Sequence, residues 1–126
     1  MAAHGTFNWN ELMTNDVAKA KAFYAATLGW TYSDMPMQAG VYTVAHSGPA
    51  MAGGIMDMTG VTPPGVPPHW FEYIEVDDVD HRVGMVAENA GKVLRPPFNI
   101  PNVGRIAIIE DATGAAVGLM TSTPRG

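Results

Sequence analysis

The stretch "HWFEYIE", residues 69–75, places His69, Glu72 and Glu75 within one short segment, and the acidic run "VDDVD" follows it directly. Imidazole and carboxylate groups are the side chains that hold divalent metals and that most often act as general acids and bases. A further carboxylate, Glu11, lies in "FNWNELM", a segment with the same alternation of apolar and polar residues. In a strand, alternate residues share a face, so Glu11 falls with Trp9, and Glu75 falls with Phe71 and Tyr73. A carboxylate among aromatic rings loses water, which raises its pKa and suits it to act as a general base or to hold a cation. Glu11 and Glu75 are therefore the catalytic candidates. Trp9, Phe71 and Tyr73, together with Tyr42 and Phe98, are the expected ligand-binding residues of a largely apolar pocket for a planar or hydrophobic small molecule. The histidines are weaker candidates: His69 follows two prolines, His81 lies in a first helical turn, His46 ends a strand, and His4 sits near the N-terminus, where chains are loosely held.

The elements that position these residues occur twice. An offset of 62 lays Asp16-Val17 on Asp78-Val79, Gly29 on Gly91 and Trp9 on Phe71. Each copy opens with an alternating strand segment whose plainly apolar face carries Leu12, or Ile74 and Val76. Each strand leads to an aspartate, Asp16 or Asp78, placed to accept the free N–H groups of a first helical turn. Val17, Ala20, Tyr24 and Leu28 then recur at helical spacing, as do Val79, Val83, Val86 and Ala90. Both helices are expected to stop at glycine, Gly29 and Gly91, in the left-handed conformation. Three β-prone runs follow in each copy: about 30–33, 41–45 and 54–58, then 92–95, 105–109 and 116–121. The segment "TGVTPPGVPP" separates the copies, and "RPPFNIPNVGR" reads as a rigid proline-rich loop able to cover a cavity mouth. The expectation is one α+β domain over residues 1–126: a βαβββ module over about 6–59, a linker over about 60–68 and a second module over about 69–122.

Bulk composition limits the alternatives. The 126 residues are 47% hydrophobic and 15% charged with a formal net charge of −5, values of an ordinary globular protein. Only seven Lys and Arg are present and they do not cluster, which argues against nucleic acid as a partner. Without cysteine the chain has no thiolate ligand, disulfide or cysteine nucleophile. No apolar run approaches membrane-spanning length and no signal peptide is visible, so the expected location is cytoplasmic, away from membranes.

The segment "ELMTNDVAKAKAFYAATLGW" resembles the signature D-x-x-x-(S/A)-x-x-F-Y-x-x-x-L-G-(F/W) of the vicinal oxygen chelate superfamily, also called the glyoxalase/bleomycin resistance/dioxygenase superfamily. The resemblance extends to "VDDVD" and to "IIEDATGAAVGLM" near the end of the chain. It implies a glyoxalase-like fold, in which the two tandem βαβββ modules form a curled mixed sheet around a cavity, with dimerisation completing the site. It also implies a divalent metal held by four side chains, one from the first and one from the last strand of each module. In this sequence those positions are Trp9, Phe71, Gly118 and either Met56 or Asp57. The family ligands are thus largely missing, and the expected cofactor and metal content is none. The leading expectation is a homodimeric, metal-independent protein that binds an apolar or aromatic small molecule. Two others are a metal-dependent lyase, isomerase or dioxygenase with a rearranged ligand set drawn from Glu11, His46, Asp57 and His69, and a metal-free enzyme with Glu11 or Glu75 as base.

Overall fold

Eight strands and few helices make up the computed structural model, which describes residues 3–37, 40–101 and 103–123. The order is β1 (Phe7–Thr14), α1 (Val17–Leu28), β2 (Thr31–Met37), β3 (Gly40–Ser47) and β4 (Ala50–Asp57). It continues with β5 (His69–Glu75), α2 (Val79–Val83), a 3-10 turn over Ala87–Asn89, β6 (Lys92–Ile100), β7 (Gly104–Glu110) and β8 (Ala116–Ser122). The chain divides into two units, Asn10–Trp70, here the N-terminal unit, and Met1–Trp9 with Phe71–Gly126, the C-terminal unit. Strand β1 therefore begins in one and ends in the other. Among the described residues no helix is long and apolar enough to cross a membrane.

The N-terminal unit carries its strands in the order β2-β3-β4-β1. β1 and β4 run parallel, and the other neighbours run antiparallel. Leu12 lies opposite Ile55, and Ile55 opposite Thr43; all three are buried, Ile55 almost completely. Helix α1 starts where Asp16 Oδ1 accepts the Lys19 N–H at 3.0 Å, and it ends at Gly29 in the left-handed conformation (φ 73°). Its Tyr24 stacks on Trp30 with ring centroids 5.0 Å apart, and Trp70 Nε1 donates to the Tyr24 hydroxyl at 3.3 Å. Leu28, which shares the helical spacing of Val17, Ala20 and Tyr24, is 57% exposed. The helix stops there.

The C-terminal unit orders its strands β5-β8-β7-β6, with β5 and β8 parallel. Its two faces have separate cores, as strand alternation requires. On the helix side Val76, Val79, Ala107, Ile109 and Leu119 are buried, with Ile74, Val83 and Val86 packed against them. On the other side Tyr73, Ile106 and Met120 are buried, flanked by Trp9, Phe71 and Phe98.

Two local expectations are corrected in this unit. The single helix expected from Asp78 to Gly91 breaks after Val83, where Gly84 lowers helix propensity by roughly 1 kcal/mol relative to alanine. The chain then tightens into i→i+3 bonds, Met85 N–H to Arg82 O and Val86 N–H to Val83 O. The left-handed residue at the end is Ala90 (φ 67°), not Gly91. Gly91 is needed for space instead: a Cβ there would lie 2.8 Å from Glu110 O and 2.7 Å from Val86 Cγ1. The second correction concerns "RPPFNIPNVGR", whose first half is strand rather than loop, because β6 runs on to Ile100. Prolines are tolerated there because β6 has only one partner in this unit, β7, and because its register slips twice, between Val93 and Arg95 and between Arg95 and Phe98.

The first turn of α2 is tied down by two ion pairs. Arg82 donates to both oxygens of Asp77, each at 2.9 Å, and Arg105 donates to both oxygens of Asp80 at 2.6 and 3.0 Å. The Arg82 hydrogen bonds hold the Asp77 carboxyl far below its usual range, and Arg105 likewise lowers Asp80. A carboxyl depressed in the folded state adds stability above its ordinary pKa of 3.8, and that stability is lost as pH falls through the folded value. Melting temperature is therefore expected to stay level from pH 7 down to about 5 and to drop below the ordinary carboxylate range. D77N should melt lower than the parent at pH 7, and the gap should close in acid. A gap that stays constant with pH in a melting series would show that the pair adds no pH-dependent stability.

Candidate functional site

The aromatic face of the C-terminal unit is organised by strand register. Tyr73 lies opposite Gly118, Gly118 opposite Ile108, and Ile108 opposite Arg95, which makes one row of side chains across four strands. The next row runs Glu75, Met120, Ile106, Phe98. Register partners share a face, so all eight positions look to one side. Phe71 and Trp9 pack against the same buried cluster, and the Phe71 ring meets Tyr73 edge-on at 5.3 Å. Of the expected ligand-binding residues the structure thus gathers Trp9, Phe71, Tyr73 and Phe98 on one face. Tyr73 is buried, whereas Trp9, Phe71 and Phe98 keep part of their surface in solvent.

Gly118 is the reason the Tyr73 ring can lie down in this face. Any Cβ at that position would overlap the Tyr73 ring carbons. The N-terminal unit repeats the device with other residues. Val44 lies opposite Gly54 and Gly54 opposite Glu11, so Tyr42, two residues before Val44, shares their face. The Tyr42 hydroxyl occupies the space a Cβ at Gly54 would fill, and it donates to Glu11 Oε2 at 2.7 Å. Glu11 is buried. Tyr42 and Glu11 therefore form a pair in the N-terminal unit.

Glu75 belongs to the C-terminal unit and is only 6% exposed. Its Oε1 accepts from Asn8 Nδ2 at 2.8 Å and from the Ser122 hydroxyl, and its Oε2 accepts the Ser122 N–H at 3.0 Å. The backbone of the same residue bonds Gly5 N–H and Thr6 O. Both carboxylate oxygens are committed, and the residue joins the beginning of β1 to the end of β8.

The histidines and remaining acids go elsewhere. His46 Nε2 bonds Ser33 Oγ at 2.8 Å, His69 Nδ1 bonds Pro67 O at 2.8 Å, and Asp57 Oδ1 accepts the Thr59 N–H at 2.9 Å in the turn after β4. Among the described residues no three His, Asp or Glu side chains gather as metal ligands. A hollow of about 510 Å³ in the N-terminal unit is lined by Asn15, Met58, Thr62, Pro63 and Val66 with their neighbours, and none of the expected site residues reaches it.

The four metal positions implied by the family resemblance can now be placed. Trp9 and Phe71 pack in the aromatic cluster, and Gly118 lies under the Tyr73 ring. Glu11 and Tyr73 are each the fifth residue of their strand, and the residue opposite Glu11 is Gly54. Register thus gives the fourth position to Gly54, in place of Met56 or Asp57. None of these four residues carries an imidazole, a carboxylate or an amide side chain, so none is a fitting ligand for a divalent ion. Sequence reasoning missed the roles of Asn8, Ser122 and Gly54. The one available signal was a glycine two positions into each "AGG" or "AVG" segment, where a last-strand side chain was expected.

Comparisons with known proteins agree with this fold. The family model described as Glyoxalase/Bleomycin resistance protein/Dioxygenase superfamily matches residues 6–119. CFP32 of Mycobacterium tuberculosis, a candidate glyoxylase by name, is 44% identical over 117 residues, which cover 91% of this chain and 45% of that protein. The anthracycline biosynthesis protein DnrV of Streptomyces peucetius is 34% identical, over 92% of this chain and 41% of its own. The chain spans less than half the length of these curated relatives. Among solved structures, methylmalonyl-CoA epimerase from Mycobacterium tuberculosis superposes with a TM-score of 0.66 at 17% identity, over 98% of this chain and 94% of that one. The Streptomyces coelicolor epimerase in complex with 2-nitronate-propionyl-CoA reaches 0.68 at 16% identity, over 97% and 100%. With its signature segment, its strand order and a family match over nearly its whole length, the chain belongs to the glyoxalase/bleomycin resistance protein/dioxygenase superfamily.

Proposed function

We propose that this chain is a small-molecule-binding member of its superfamily that works without the family metal and takes an apolar or aromatic ligand against Trp9, Phe71, Tyr73 and Phe98. The observation that carries the reading is the partial exposure of three of these rings on one face, where two of them stand in place of metal ligands. Flat apolar surface held rigidly around a buried ring offers a ligand contact at little entropic cost. A relative named for the biosynthesis of a class of small molecules is in keeping with it. Assembly as a homodimer is part of the same proposal, supported by the solvent-facing Phe23 and Leu28 of α1, and light scattering tests it.

The direct test is calorimetric titration with a panel of neutral aromatic compounds, repeated after chelation of divalent metals. Binding is expected to survive chelation. W9A and F98A should each weaken it by about tenfold, the scale of a lost aromatic contact of 0.5–1.5 kcal/mol plus buried area. Binding that disappears on chelation and returns with added metal would overturn the proposal.

A second reading is metal-free turnover with Glu11 or Glu75 as base, supported at Glu11 by its burial and by the Tyr42 hydroxyl that donates to it. Deuterium exchange into a bound compound with an acidic C–H should then stop in E11Q with folding intact.

A further inference from the structure

Strand β6 carries two residues more than β7 across the segment Val93–Phe98, because Arg95 pairs with Ile108 while Phe98 pairs with Ile106. In a regular strand, residues three apart lie on opposite faces, so Arg95 and Phe98 would be separated. The bulges bring both to the face of Ile106 and Ile108, which is the face of Tyr73. There the Arg95 guanidinium lies 3.6 Å from the centre of the Phe98 ring. Stacking on an aromatic face holds the guanidinium plane while leaving its N–H edge directed outward. The two other described arginines are engaged by carboxylates, Arg82 by Asp77 and Arg105 by Asp80. Arg95 meets no carboxylate within ion-pair distance among the described residues. In the row Tyr73, Gly118, Ile108, Arg95 it is the residue three strands from Tyr73, roughly 14 Å away at ordinary strand spacing. A flat molecule lying along that row would bring its far end to the guanidinium.

We infer that Arg95 is a specificity-determining residue that receives an anionic group, a carboxylate or a phosphate, on an otherwise apolar ligand lying along the Tyr73 face. The inference rests on the proposed aromatic site and adds the ligand's charge and the end at which that charge is read.

Titration of the full chain with biphenyl-4-carboxamide, biphenyl-4-carboxylate and biphenyl-4-yl phosphate, which carry the polar group at the end of a long flat axis, tests it, in the parent, R95Q and R95K. An anionic probe should bind about tenfold or more tightly than the amide, as expected for a charge-assisted hydrogen bond. R95Q should erase that preference, so that anions and amide bind alike, and R95K should restore it only in part, because lysine lacks the planar fork. The stronger of the two anions identifies the ligand's acidic group. Equal affinity of the parent for all three probes would overturn the role of Arg95 while the aromatic site stands. A preference that persists in R95Q would also overturn it. If none of the probes binds, the aromatic site itself fails and this inference with it.

Discussion

Gly118→Ala is expected to lower the free energy of unfolding by about 1–3 kcal/mol or more, as an added methyl in a well-packed core does. The Cβ would overlap the ring of Tyr73, and that ring is buried beside Met120 and Ile106. It cannot swing aside without losing those contacts. The cause can be isolated by a double-mutant cycle. Tyr73→Ala alone should cost about 3–5 kcal/mol through the lost ring and the cavity left behind. In that background the alanine at 118 should be nearly neutral, so the two changes couple strongly. Urea unfolding of the four proteins measures the cycle. Additive costs would mean that the glycine is required for another reason. The same cycle bears on function, because a displaced Tyr73 would disorder the face on which Phe71 and Phe98 lie.

Glu75→Ala carries the second large expected effect, a loss of about 2–5 kcal/mol. The carboxylate accepts from the Asn8 amide and from both the N–H and the hydroxyl of Ser122. Removing it leaves these donors without their acceptor, and each buried donor without a partner costs about 1–3 kcal/mol. Part of the loss is recovered if water enters the space. Glu75→Gln keeps the shape but turns an amide N–H₂ toward donors, so it should fall between the parent and the alanine variant. Hydrogen exchange at the Ser122 amide gives a local reading. It should accelerate in both variants more than at core positions such as Ala107. Unchanged exchange with unchanged stability would remove Glu75 from the framework and return it to consideration as a reacting group.

Much of the C-terminal unit was legible from local pattern. Alternation in "WFEYIEV" separates Phe71, Tyr73 and Glu75 from Ile74 and Val76, and these two sets do face different cores. Asp16 and Asp78 cap their helices because a short carboxylate one residue before a helix meets its free N–H groups whatever surrounds it. Other positions depend on partners far away in the chain. The break in α2 follows from Gly84 together with the demand that Gly91 pass close to Glu110, a contact between segments nearly twenty residues apart. Sequence alone leaves Glu75 a candidate base, because Asn8 and Ser122 are far from it in the chain, and it becomes a committed acceptor once β1 and β8 flank it.

By itself the sequence determined the α+β class, the element order and the helix starts, because these depend on periodicities of two and 3.6 and on caps that act within a few residues, and its signature segment pointed to the family. Register was decided only by the tertiary structure. An inserted residue in one strand reverses the facing of everything beyond it, and nothing in "VLRPPF" announces two such insertions. For that reason Arg95 could be placed beside Phe98 only once Ile106 and Ile108 were seen to be their partners. For the same reason the fourth family position moved from Met56 or Asp57 to Gly54, where the partner strand puts Glu11.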